Sequence, residues 1–159
     1  MNIPGHTLPS VQNLLQSRGY IADEYVAMSV YLAMQLNKPL LIEGPAGVGK
    51  TEIAKVMAQA LNTDLIRLQC YEGLDVHHAI YEWNYQHQLL FLKMGENDKE
   101  GRSPEALEKT IFSEKFLLKR PLLQALTHGK SPVLLIDEVD RADEEFESFL
   151  LEMLSDWQI

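Results

Sequence analysis

The sequence predicts an α/β fold in which helices cover a parallel sheet. Three observations predict it. A short apolar run, Pro39-Leu40-Leu41-Ile42, enters a glycine-rich turn from which an amphipathic helix leaves. A second apolar run, Val133-Leu134-Leu135-Ile136, follows a turn and reads as a strand buried on both faces of a parallel sheet. Between them, Leu65-Ile66-Arg67-Leu68-Gln69 is short, mostly apolar and bounded by turn-prone residues, which is a strand pattern.

Taken in order, residues 1–10, with Pro4, Gly5 and Pro9, read as a loose arm, and Val11 to Gln16 fits one or two helical turns ended by Gly19. Asp23 is a candidate N-cap for a helix to Leu36, whose apolar stripe is Tyr25, Met28, Leu32 and Leu36, widened by Val26, Val30 and Ala33. Asn37 and Pro39 stop that helix, and the first core strand is expected at once. After the glycine-rich turn, Ile53, Val56, Met57, Ala60 and Leu61 make a single helical stripe that Asn62 closes. Asp64 to Cys70 is the second strand. Tyr71 to Leu92 shows no decisive period, and a helix is expected from Val76 to about Trp83. Lys93 to Lys109 is polar and charged, with Gly95, Asn97, Gly101 and Pro104, as suits an exposed insertion. Phe112, Phe116 and Leu117 are expected to begin a helical stretch, and Pro121 suits the first turn of another through Leu126. Gly129 to Pro132 is a turn. From Asp143 the stripe Phe146, Phe149, Leu150, Met153, Leu154 is helical again, and Glu144, Glu145, Glu147 and Glu152 form its solvated face.

Composition narrows the class. A chain of 159 residues with 46% apolar and 23% charged content is one soluble globular domain with a real core. A net charge of −9 argues against general nucleic-acid binding, which needs a basic face. Cys70 is the single cysteine, which excludes an internal disulfide and suits a reducing compartment. The first residues lack a signal-peptide pattern, and no apolar run approaches a membrane span. A cytoplasmic location is expected.

Two motifs carry chemistry. Gly44-Pro45-Ala46-Gly47-Val48-Gly49-Lys50-Thr51 fits G-x-x-x-x-G-K-[ST] at every fixed position, between a strand pattern and a helix pattern. A polyphosphate must be wrapped by converging backbone N–H groups, and only a loop with little side-chain bulk comes that close. Lys50 is placed to reach the β- and γ-phosphates and Thr51 to ligate Mg²⁺, at a helix N-terminus that favours anions. The second motif is Asp137-Glu138 at the end of the Val133–Ile136 run. Ligands of open α/β sheets lie at the carboxyl ends of strands. There Asp137 would hold Mg²⁺, and Glu138, on the other side of the pleat, would orient and deprotonate an attacking water. The pair turns a nucleotide-binding reading into one of hydrolysis.

With both motifs in place, the chain resembles the AAA+ ATPases, and within them the MoxR-like group. The carrying residues are GPAGVGKT (44–51) and LLIDEVDRADEEFESFLLEMLSDWQI (134–159), with LIRLQCYEGLD (65–75) and FLLKRPLLQAL (116–126) between them. The likeness runs from about Gly19 to Ile159, leaving residues 1–18 as an N-terminal arm and 19–159 as a partial core. It implies a P-loop NTPase αβα sandwich with a five-stranded parallel sheet, normally followed by a helical lid. It also implies ATP with Mg²⁺ as the ligand and ring assembly, usually as a hexamer. Chaperone action on protein clients is implied too, often clients with a von Willebrand A domain. Tyr20 and Ile21 stand where such chains commonly cradle adenine, and Gln69 where a polar residue restrains the catalytic glutamate. The family pattern continues past Ile159 with a sensor strand, an arginine finger, a fifth strand and the lid. That sensor strand belongs between the Leu40–Ile42 and Val133–Ile136 strands. A marginally folded or association-prone chain with little turnover is therefore expected, and two readings stay open: an ATP-hydrolysing remodelling machine, or a nucleotide-binding interaction module that does not hydrolyse.

Other candidates are weaker. Adjacent His77 and His78 point apart, and with His87 they complete no metal-ligand set. Tyr81, Trp83 and Tyr85 are better read as a packed core edge than as a binding platform. Arg141 suits either a neighbouring subunit's nucleotide or a surface ion pair with Asp143 or Glu145.

Overall fold

A computed structural model describes residues 7–95 and 103–156. The chain opens with α1 (Leu8–Ser17), fixed by a capping box in which Thr7 and Ser10 satisfy each other's backbone N–H groups. Helix α2 (Glu24–Leu36) starts where Asp23 Oδ1 accepts from the Val26 N–H at 2.7 Å, and stops at Asn37 in a left-handed conformation. Helix α3 (Lys50–Ala60) follows the glycine-rich loop and ends at Asn62, again left-handed. Val11 and Leu15 are fully buried against Val30, Ile53, Val56 and Met57, so α1 joins α2 and α3 in one core cluster. It is longer and better packed than a loose arm.

Strand β1 (Leu65–Gln69) lies parallel to β4 (Val133–Asp137), in a register running from Leu65 opposite Val133 to Gln69 opposite Asp137. The period of two divides the side chains between the faces. Leu68, Leu134 and Ile136 pack with Phe146, Leu150 and Met153 of α8 (Glu144–Asp156), with α4 (Val76–Ile80) and with α7 (Pro121–Leu126). The opposite face carries Val133, packed on the α1–α3 cluster, and further along Arg67, Gln69 and Asp137. Helices thus cover both faces of a parallel pair. The Phe146 N–H donates to Asp143 Oδ1 at 2.9 Å, which fixes the start of α8.

A second layer departs from the expected pattern. Residues 81–83 leave α4 as β2 (Tyr81–Trp83), antiparallel to β3 (Leu117–Lys119), so the expected helix stops at Ile80. Likewise the stretch around Phe116 is a single 3-10 turn, Glu114–Phe116, running into β3 rather than a helix. Cross-strand pairing with each other outweighs the weak helical period of both segments. Helices α5 (Tyr85–Gly95) and α6 (Pro104–Ile111) rise between the two strands. Buried Gln88 ties them together by donating to the Ile111 carbonyl at 2.6 Å, while Phe116 seats between His87 and Phe91. The polar connection is thus partly helical; residues 96–102 lie outside the described residues.

Three expectations about the core are overturned. Leu40–Ile42 forms no strand: the segment has no regular secondary structure, with Leu40, Leu41 and Ile42 exposed by 38%, 72% and 36%. A strand exists only where a neighbour pairs its backbone. Strand β1 occupies one edge of β4, and among the described residues no strand lies along the other. The stripe of α2 is also inverted. Ala27 and Val30 are buried, with Val26, Tyr31 and Met34 packed beside them, whereas Tyr25, Met28, Leu32 and Leu36 face outward. Both faces of α2 are apolar, so periodicity alone did not choose between them. Finally, β4 is half-buried along its whole length rather than buried on both faces.

Candidate functional site

The loop from Gly44 to Gly49 turns by left-handed glycines, with φ of 153° at Gly44, 83° at Gly47 and 88° at Gly49. A Cβ at Gly47 or Gly49 would meet nothing within 4 Å. It is the backbone conformation, not crowding, that calls for glycine there. Gly49 ends the loop as the N-cap of α3 and puts Lys50 and Thr51 in the first turn, where free N–H groups point out of the helix. Pro45, Ala46 and Val48 stand in solvent, and Lys50 and Thr51 are half-buried. Lys50 Nζ donates to the carbonyls of Gly44 at 2.5 Å and Pro45 at 2.8 Å. The ammonium therefore sits over its own loop, bound to neutral acceptors that phosphate oxygens outcompete.

At the end of β4, the Cys70 N–H donates to the Asp137 carbonyl at 2.9 Å and extends the ladder by one bond. Asp137 lies on the face shared with Val133, the one α3 covers. Its Oδ2 accepts from Arg67 Nη2 at 2.7 Å, and the same nitrogen donates to Gln69 Oε1 at 2.5 Å. Gln69 thus bonds to Arg67, not to Glu138. Glu138 leaves the pleat with φ 54° and ψ 44° and caps a 3-10 turn, Val139–Arg141. A left-handed glutamate costs roughly 1–2 kcal/mol, and it turns the side chain out of the strand's alternation. Glu138 Oε2 pairs with Arg141 Nε at 3.0 Å, so Arg141 engages neither Asp143 nor Glu145. Beneath this end, burial pushes the Cys70 thiol up to about 11, helped by the charges of Asp137, Asp140 and Glu138.

Packing joins the helix that carries one motif to the strand that carries the other. Helix α3 carries the loop at its start and lies, through Ile53, Val56 and Met57, in the cluster against which Val133 packs. Among the described residues, no hydrogen bond joins the loop to Asp137 or Glu138. Tyr20 packs on the α1–α3 cluster and its N–H donates to the Leu15 carbonyl, while Ile21 is 92% exposed. His77 and His78 are exposed, the latter bonded to Asp75, and Trp83 stacks edge-on with Tyr81 and Phe112. The residue that sequence reasoning missed is Arg67. Its signal was the i, i+2 spacing with Gln69, which acquires meaning only once β1 and β4 are paired in register.

Among the described residues, no three His, Cys, Asp or Glu side chains are grouped to hold a metal ion. Thr51 and Asp137 are hard oxygen donors. Mg²⁺ commonly takes one or two such ligands and completes its shell with phosphate oxygens and water, so these residues fit it. A concavity of about 570 Å³ lies at the opposite end of the sheet, lined by Lys55, Asn62, Asp64, His128 and Lys130 among others. There Lys130 bonds to the carbonyls of Leu61 and Asn62 and braces the end of α3. No described helix is long and apolar enough to cross a membrane.

Among curated proteins, the chain is similar to an uncharacterized protein of Staphylococcus saprophyticus, 28% identical over 123 residues, covering 77% of this chain and 38% of that protein. It is 27% identical over 124 residues to an uncharacterized protein of Staphylococcus haemolyticus, covering 78% of this chain and 39% of that one. The chain thus spans about two-fifths of the length of these relatives. No solved structure gives a significant match. The profile of the AAA domain, dynein-related subfamily, matches residues 39–159, from just ahead of the glycine-rich loop through the acidic pair and α8, and the chain belongs to that family.

Proposed function

We propose that this chain binds ATP with Mg²⁺ and hydrolyses it, as the nucleotide-handling part of a MoxR-like AAA+ chaperone that remodels or activates partner proteins. One observation carries the reading. A complete phosphate loop opens α3, and α3 covers the face of β4 that ends in Asp137. The backbone N–H groups of residues 44–51 would cradle the phosphates. Lys50 would exchange two neutral carbonyls for charged phosphate oxygens, so that both partners of each bond carry charge. Thr51 and Asp137 would hold magnesium, which when bound neutralises charge on the β- and γ-phosphate oxygens. Glu138 would orient and deprotonate the attacking water. Its pair with Arg141 is exposed at both ends, 44% and 62%, and so is worth less than about 1 kcal/mol. Freeing Glu138 for a water is therefore cheap. Adenine contacts at Tyr20 and Ile21, a hexameric ring and a client with a von Willebrand A domain belong to the same proposal and rest on the resemblance to the MoxR-like group, while a cytoplasmic location rests on the single cysteine and the composition.

The acidic neighbours test it, because charge on a metal and charge on a water are different jobs. In a form whose wild type releases phosphate, Glu138→Gln should keep MgATP affinity within about threefold and lower turnover at least about 100-fold. Asp137→Asn should weaken the Mg²⁺-dependent part of binding. Wild-type turnover from Glu138→Gln would remove Glu138 from the role.

A further inference from the structure

Arg67 lies on the α3 face of β1, two residues before Gln69, the register partner of Asp137. Its guanidinium is held twice, by Asp137 Oδ2 and by Gln69 Oε1. The Arg67 side chain is 53% exposed, and its Nη2, shared by two acceptors, holds the guanidinium over this face. The Asp137 side chain is only 20% exposed, so its pair with Arg67 is less screened than the more open pair of Glu138 with Arg141. We infer that Arg67 is the positioning residue for Asp137 and sets how strongly nucleotide binding depends on magnesium.

The inference rests on the nucleotide site proposed above and adds a residue to it. Two effects act in the same direction. Without metal, a bare carboxylate at the end of β4 repels incoming phosphates, and the guanidinium bonded to it cancels that charge. With metal, the guanidinium and the cation draw on the same carboxylate, so Arg67 moderates the metal's hold. Both effects narrow the gap between nucleotide affinity with and without Mg²⁺. Removing one unit charge from this half-exposed pair should widen that gap about fivefold, the interaction of two unit charges about 4 Å apart under water-like screening.

The test is a titration of ATP by calorimetry on the whole chain, once in Mg²⁺ and once in chelator, giving a ratio of the two Kd values. Arg67→Gln should raise the ratio of the Kd in chelator to the Kd in Mg²⁺ about fivefold, and Arg67→Lys, which keeps the charge, should stay within about twofold of wild type. In an Asp137→Asn background, Arg67→Gln should change nothing, since Arg67 acts through that carboxylate. Arg67→Met, which keeps the apolar stem, replaces the glutamine variant if circular dichroism shows lost helix. An unchanged ratio, or an equal effect in the Asp137→Asn background, overturns the role of Arg67 while leaving the nucleotide site standing. A wild-type chain that binds no ATP in either medium overturns the nucleotide site itself, and Arg67's role with it.

Discussion

Both halves of the chain seal a core, around Val11 and Leu15 in the half that holds the phosphate loop and around Leu122, Phe146 and Leu150 in the half built on β1, β4 and α8. The first also leaves Tyr25, Leu36 and Leu41, on α2 and the pre-loop segment, largely in solvent. Motif strength runs the other way: the loop fits an eight-residue pattern at every fixed position, and the Asp137-Glu138 dipeptide alone is common. A motif and a core are written in different terms. The loop needs only glycine dihedrals, a lysine and a helix start, all local. A core needs a neighbour for each strand and each apolar face. β4 has β1 along one edge and the α8 layer on one face; Leu40–Ile42 has no strand beside it among the described residues.

The contrast can be broken at three points, in order of size. Phe146→Ala in the half built on α8 should cost about 3–5 kcal/mol in a denaturant melt, the loss typical of a fully buried phenylalanine. A loss below 1 kcal/mol, small beside that range, would mean the α8 layer is not the stable half. Cys70 reports the same half through pH. Its folded thiol keeps its proton to about 11, against an ordinary 9.0, so between those values the unfolded chain releases a proton that the folded chain retains. Stability is therefore full below the lower value and falls as pH rises through the window. Denaturant melts on either side of 9.0 should show that slope in wild type and lose it in Cys70→Ala; identical slopes would place Cys70 outside the core. Leu41→Ser in the open half should move stability by no more than about 0.5 kcal/mol, and a larger loss would show that Leu41 is covered in solution.

Much of the layout was legible because its determinants are short-range. Asp23, Asn37, Asn62 and Pro121 mark helix ends by capping or by fixed φ, and the stripe of α3 has a single apolar face. What escaped needed long-range pairing. β2 and β3 each have three residues, too few for a period, and become strands only by facing each other, Tyr81 against Lys119 and Trp83 against Leu117. The outward face of α2 escaped because both faces are apolar. At the candidate site, the glycine-rich loop opening α3 and the place of Asp137 at the end of β4 were legible from pattern, but the left-handed turn at Glu138 and the bond from Arg67 to Asp137 were not. The first depends on backbone geometry that many residues share at strand ends, and the second on a register between segments 70 residues apart.

The central claim is that the loop ending at Lys50 grips nucleotide phosphates. Isothermal titration of MgATP into the wild-type chain and into Lys50→Ala tests it most directly. Binding should be measurable in wild type and weaker by at least about tenfold in the variant, the loss of one charge-assisted hydrogen bond or more. Equal affinity in the two proteins would contradict the assignment.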